Sequence, residues 1–266
     1  MRNSIARPLP SPTLLLEWSA VALAAGAGVL GGAMNALAGG GSFATMPTLI
    51  GLGVPSTFAN ATSNVSLQPG AMASAWAYRH GLQPISGVSM KTMAGITFVG
   101  GLVGSLLLVA TSARAFDLIV PWLLLFATLA IAFGTRASLW LRSRVEIGPK
   151  SLVAVQALLG VYGGYFGGGV GLMLTAAWGL LSGATPATLA PPRTLMLAVA
   201  NLAATIIFIA TGMVVWALCV PMLIGGIVGG HFGAKLGLLL SPQVIRVWTL
   251  LVTIATTIVF FYRAYS

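Results

Sequence analysis

The chain has 266 residues, of which 58% are hydrophobic and 6% charged, and its mean hydropathy is +0.98. A soluble domain carries about 25% charged residues, so this chain cannot cover a water-exposed surface, which excludes soluble enzymes, nucleic-acid binders and disordered chains. The net charge of +10 arises from 13 Lys and Arg against 3 Asp and Glu, and the bases stand between or outside apolar runs, as in the loops of an integral membrane protein.

A membrane-crossing helix needs about 20 apolar residues. The first such run lies near 14–38, preceded by Arg2 and Arg7. Ala36-Leu37-Ala38 resembles a signal cleavage site, but the apolar stretch from Trp18 is longer than the roughly 7–15 residues of a signal core. A retained first helix is expected. Further runs lie near 57–78, 88–111, 117–135, 150–166, 193–212, 214–236 and 243–262, making eight. Two pieces, 43–53 and 170–182, are too short to span and fit half-helices or re-entrant segments.

Landmarks recur in order. Gly39-Gly40-Gly41 returns as Gly167-Gly168-Gly169, 128 positions on. Pro55-Ser56-Thr57 returns as Pro186-Ala187-Thr188, 131 positions on, and Gly100 and Gly104 return as Gly225 and Gly229, 125 on. The predicted fold is all-α and polytopic, with two homologous four-helix repeats: a tail (1–13), a first repeat (14–135), a basic connecting loop (136–149) and a second repeat (150–266). Repeated halves mark transporters. Eight spans place nine bases on one side (residues 2, 7, 79, 91, 136, 142, 144, 150 and 263) against Arg114, Arg193, Lys235 and Arg246. Ten spans give nine against four again, with the N-terminus on the opposite side and the repeats inverted rather than parallel. Segment length favours eight.

Gly39-Gly40-Gly41-Ser42 followed by Pro47 should break a helix. Broken backbone is tolerated at membrane depth only where protein or a cavity covers it. The half-helix starting at Ser42 would offer unpaired amides and a positive dipole end to an anion, and Gly167-Gly168-Gly169 repeats the arrangement. A surface turn is the plainer reading. The polar cluster from Asn60 to Gln68, with Thr62, Ser63 and Asn64, either hydrogen-bonds a solute or ties helices together. Pro191-Pro192 should open a helix with Arg193 and Thr194 in its first turn. A buried arginine can hold an oxyanion through parallel hydrogen bonds, or snorkel to the headgroups. Asn201, two turns on, could line the same path. Gly225, Gly229, Gly233 and Gly237 form a packing ladder. His231, within it, is a candidate proton-coupling residue.

The three acids, Glu17, Asp117 and Glu146, lie near span ends or in a loop. This disfavours a cation substrate and favours an anion or neutral solute. No metal-ligand cluster and no nucleophile–base motif is present, so neither cofactor nor enzymatic activity is expected.

The order of glycine break, Ala59-Asn60-Ala61-Thr62-Ser63-Asn64, Gly81 and Gly100-Gly101-Leu102-Val103-Gly104, repeated from Gly164-Tyr165-Phe166-Gly167 onward, resembles the TauE/SafE family of sulfite exporters across about residues 18–262. The resemblance implies two four-helix repeats and movement of sulfite or an organosulfonate across a bacterial inner membrane. Arg193 departs from the neutral Gly-Thr-Ser-like stretch usual there. The expected function is alternating-access transport of a small anion. Substrate contacts are expected from Gly39, Gly40, Gly41, Ser42, Thr62, Ser63, Asn64, Gly167, Gly168, Gly169, Arg193 and Thr194. A passive anion channel and a membrane scaffold are the alternatives. Expected partners are the lipid bilayer and a small anionic substrate, with no nucleic acid; a homo-oligomer is left open.

Overall fold

The computed structural model describes residues 17–142, 149–184 and 186–265. The expected tail, with Arg2 and Arg7, lies outside them, as do Arg144 and Glu146 of the connecting loop. The described residues form ten α-helices: α1 (Trp18–Ala38), α2 (Ser42–Gly51), α3 (Ser56–Ala77), α4 (Met90–Ala110), α5 (Ala113–Arg142), α6 (Pro149–Tyr165), α7 (Val170–Ser182), α8 (Pro186–Ala210), α9 (Trp216–Leu239) and α10 (Pro242–Tyr265). Among these residues, α1, α4, α5, α8, α9 and α10 are each long and apolar enough to cross a membrane. The polar run in α3 lowers its hydropathy, and α6 has only 17 residues. The two short pieces are the helices α2 and α7.

One helix start differs from expectation. Pro191 and Pro192 lie inside α8, which begins at Pro186. The prolines remove two ladder donors, but prolines inside membrane helices are tolerated because neighbouring groups re-satisfy the freed carbonyls. Arg193 therefore sits two turns into the helix rather than at its start.

Contacts between helices fix their directions. Along α1, Gly28 meets Met222 and Gly226, and Gly32 meets Gly226 and Gly230, so α1 and α9 run parallel. Thr62 reaches Val215 and Cys219 while Leu67 reaches Gly226, so α3 follows the same direction. On the other side, Gly100 meets Ala157 and Gly160, and Gly104 meets Val161 and Tyr165, making α4 and α6 parallel. Thr97 contacts Met196 and Gly101 contacts Ala200 and Ala203, adding α8 to that set. The two sets oppose one another: Asn64 bonds Asn201, while Gln68, one turn later, bonds Ala198. Because α1 and α3 share a direction, α2 and its following loop return the chain between them.

The glycines explain why these pairs pack so closely. A Cβ on Gly104 would collide with the Val161 carbonyl, and one on Gly229 with the Val29 carbonyl. Small residues let helix backbones touch where lipid supplies no hydrophobic drive between helices. The outward faces carry the large apolar side chains, among them Leu23 and Leu30 of α1 and Leu251 and Ile258 of α10.

Candidate functional site

Helix α1 ends in a left-handed Gly39 (φ 76°), whose N–H donates to Asn35 O at 2.9 Å. This backbone region excludes most side chains, because Cβ crowds the following carbonyl. Gly167 and Gly169 adopt the same conformation between α6 and α7, at φ 72° and 73°. The two breaks meet: a Cβ built on Gly39 would lie 3.1 Å from the Gly171 Cα. Helix breaks 128 residues apart in the chain are thus brought together inside the bundle.

Pro47, in α2, leaves the Phe43 carbonyl without its ladder donor. The Thr256 hydroxyl of α10 stands 3.4 Å from it, while also donating to Val252 O at 2.8 Å. On the other side, Asn60 Nδ2 donates to Tyr165 O at the end of α6 (3.0 Å). A side chain of α3 therefore completes the broken end of α6.

Beside the breaks is a small cavity lined by Asn35, Ser42, Asn60, Ser63, Asn64 and Asn201, with Leu67, Phe166, Gly167 and Leu197 closing it. It has room for about one water molecule. Its polar groups are amides and hydroxyls, and the lining contains no charged side chain. Asn64 holds the centre: its Nδ2 donates to Asn201 Oδ1 (3.3 Å) and its Oδ1 accepts from the Thr205 hydroxyl (3.1 Å). Ser63 shares a hydrogen bond with Thr45 of α2. Asn60 is 2% exposed, and its Oδ1 is buried without a protein partner among the described residues.

Of the twelve residues expected to contact substrate, Ser42, Ser63, Asn64 and Gly167 line this cavity. Gly39 and Gly41 form the break beside it; Gly41 approaches the Gly31 carbonyl and Asn35. Gly40 packs on Phe43. Gly168 accepts a hydrogen bond from Tyr162 (2.7 Å), and Gly169 packs on Phe43 and Ala127. Thr62 accepts the Val215 N–H at 3.0 Å and so fixes the turn into α9. Thr194 turns its hydroxyl to Pro191 O. Arg193 lies one turn beyond Leu197 on α8, away from the lining, toward Tyr78 at the end of α3. Its Nε is buried with no hydrogen-bond partner among the described residues. His231 is exposed on α9, its ring edge-on to Phe232 at 5.7 Å.

The sequence reading put Asn35, Phe166, Leu67 and Leu197 in no site. Asn35 carried a usable signal, as an amide near the end of an otherwise apolar α1. The leucines carried none, because a cavity-lining leucine and a lipid-facing one look alike in sequence. No group of three or more His, Cys, Asp or Glu able to hold a metal occurs among the described residues.

A bundle of apolar helices, with two of them interrupted at one buried polar cavity, defines a multi-pass membrane protein of the transporter type. The chain belongs to the sulfite exporter TauE/SafE family, whose profile matches residues 24–260. A probable membrane transporter protein YfcA from Escherichia coli strain K12 is 28% identical over 218 residues, 82% of this chain and 81% of the relative. A probable membrane transporter protein from Haemophilus influenzae is 27% identical, covering 80% of this chain and 83% of its own. A probable membrane transporter protein, ORF9, from a Sinorhizobium species is 25% identical, covering 87% and 88%. No solved structure matches the chain.

Proposed function

We propose that the protein carries a small anion, sulfite or an organosulfonate-type solute, across a bacterial inner membrane by alternating access, with the cavity between the glycine breaks as the binding place. The observation that carries this reading is the meeting of the two breaks at Gly39 and Gly171 beside a cavity whose polar lining holds no carboxylate. Ser42, Ser63, Asn64 and Asn201 supply hydrogen bonds, and the backbone amides at the starts of α2 and α7 supply partial positive charge. Arg193 adds a full charge one turn outside the cavity. It is a station on the approach rather than part of the closed site. A passive channel needs a continuous water path, and the narrowness of the cavity favours the carrier.

In this reading the chain is two repeats of five segments, α1–α5 and α6–α10, with inverted topology. Support comes from the opposed directions of α3 and α8, and from the matched contacts Gly104 to Val161 and Gly229 to Val29. Arg79, Lys91, Arg136, Arg142, Lys150, Arg193, Lys235 and Arg246 then share one face, which the positive-inside rule assigns to the cytoplasm. Both termini fall on the outer face.

The test is exchange of labelled sulfite in proteoliposomes, competed by sulfate, thiosulfate, organosulfonates, carboxylates and cations. Saturable exchange competed by sulfur oxyanions is expected. Absence of anion exchange by folded protein would leave the glycine breaks as turns and reject the site.

A further inference from the structure

A second narrow cavity adjoins the first. It is lined by Gly32, Asn35, Ala36, Leu67, Gly70, Ser74, Gly226 and Gly230, from α1, α3 and α9. Only Asn35 and Leu67 belong to both linings. Leu67 is 5% exposed. One of its methyls, Cδ1, packs where a Cβ on Gly41 would lie 2.9 Å away, and Cδ2 is 3.8 Å from the corresponding point on Gly226. The side chain thus bridges from the first glycine break to α9 and, with Asn35, stands where the two cavities meet. Beyond it the walls are mostly glycine, alanine and serine, so no other large side chain of that lining obstructs the seam. The seam follows α3 past Gly70 to Ser74, toward the end of that helix, where Tyr78 faces Arg193 and Arg79 follows in the next turn. The Ser74 hydroxyl is turned back onto Gly70 O at 2.9 Å, which keeps it out of the way.

We propose that the seam between α1, α3 and α9 is the route by which the solute passes between the central cavity and the face bearing Arg79, and that Leu67 is its gate. A small rotamer or helix movement that withdraws Leu67 joins the two cavities. The basic residues at the outer end, Arg79 and Lys235, then draw an anion to the mouth. This rests on reading the central cavity as the solute site. The test therefore measures access alone, so that its failure and a failure of anion exchange are separate results.

The experiment replaces Cys219 with serine and introduces Ser63→Cys in the cavity or Ser74→Cys in the seam. Reaction with an anionic methanethiosulfonate is followed in right-side-out and inverted vesicles. S74C should react from the Arg79 face, and S63C slowly. Adding Leu67→Ala should raise the S63C rate from that face about tenfold, the factor given by roughly 1.4 kcal/mol off the barrier. The S74C rate should stay unchanged, which also reports an intact fold. Leu67→Val should act in the same direction if the alanine variant is not recovered. An S63C rate unaffected by either truncation, a rise only from the opposite face, or an unreactive S74C would each overturn the proposal.

Discussion

Thr128 Oγ1 of α5 and Thr257 Oγ1 of α10 lie 3.2 Å apart, and the two residues are 129 positions apart in sequence. That separation falls within the 125–131 at which the sequence landmarks repeat. In the proposed two-repeat arrangement the contact joins the last helix of one half to the last of the other. The helices are antiparallel there, since Trp122 bonds Tyr265 and Arg246 bonds Ala132 O. On the proposed inverted repeat the two residues are equivalent, and such a contact across antiparallel helices is what a two-fold axis in the membrane plane produces. Cysteines at 128 and 257, in a Cys219→Ser background, should cross-link under mild oxidation. Failure to cross-link would separate α5 from α10.

Reporters placed at residue 145 and after the C-terminus should report opposite faces of the membrane, with 145 in the cytoplasm. Reporters on the same face would restore the eight-span arrangement, because four spans rather than five would then follow residue 145.

The close glycine contacts should be intolerant of a methyl. Gly229→Ala drives Cβ into the Val29 carbonyl, and overpacking of this kind costs about 1–3 kcal/mol. The melting midpoint in detergent should fall. Gly26, with nothing within 4 Å of an added Cβ, should accept alanine without loss.

Asn64→Leu and Asn201→Leu should each reduce saturable anion exchange, and the double variant should be little worse than either. Their direct bond is one reason, since they act as a pair. For stability, the coupling across a membrane interface averages about 0.6 kcal/mol, so a double-mutant cycle should find a small term beside the larger loss of transport. Additive transport losses would mean that the two amides act separately.

Arg193→Ala should weaken anion exchange, with Arg193→Lys retaining part of it. An unchanged apparent affinity in the alanine variant would reduce Arg193 to a headgroup anchor. His231 faces outward, so His231→Ala should leave exchange and its pH profile unaltered.

Much of the helical layout was legible because membrane helices write themselves as apolar runs. Both half-helices were found within a residue or two, from their shortness and their glycines. The start of α8 was misplaced by five residues, because Pro191 and Pro192 look like a helix start while the bundle re-satisfies what they remove. The site was legible only in part. Ser42, Ser63, Asn64 and Gly167 stood out as polar or helix-breaking residues in apolar surroundings. Thr62 and Thr194 stood out equally, yet they serve a turn and their own helix. Sequence shows that a buried hydroxyl needs a partner but not which partner it finds.

By itself the sequence determined that this chain lives in a membrane and that two of its helices are interrupted. Those follow from the cost of exposing apolar surface to water and backbone to lipid, which composition and spacing reveal directly. The tertiary structure alone decided that α1 and α3 run parallel, that the breaks touch, and that Asn60 completes the end of α6. It also set Arg193 outside the amide-lined cavity. Those facts depend on which helix faces which. That choice is made by pairs of distant residues, a glycine under a carbonyl or an amide against an amide, whose meeting no local pattern records.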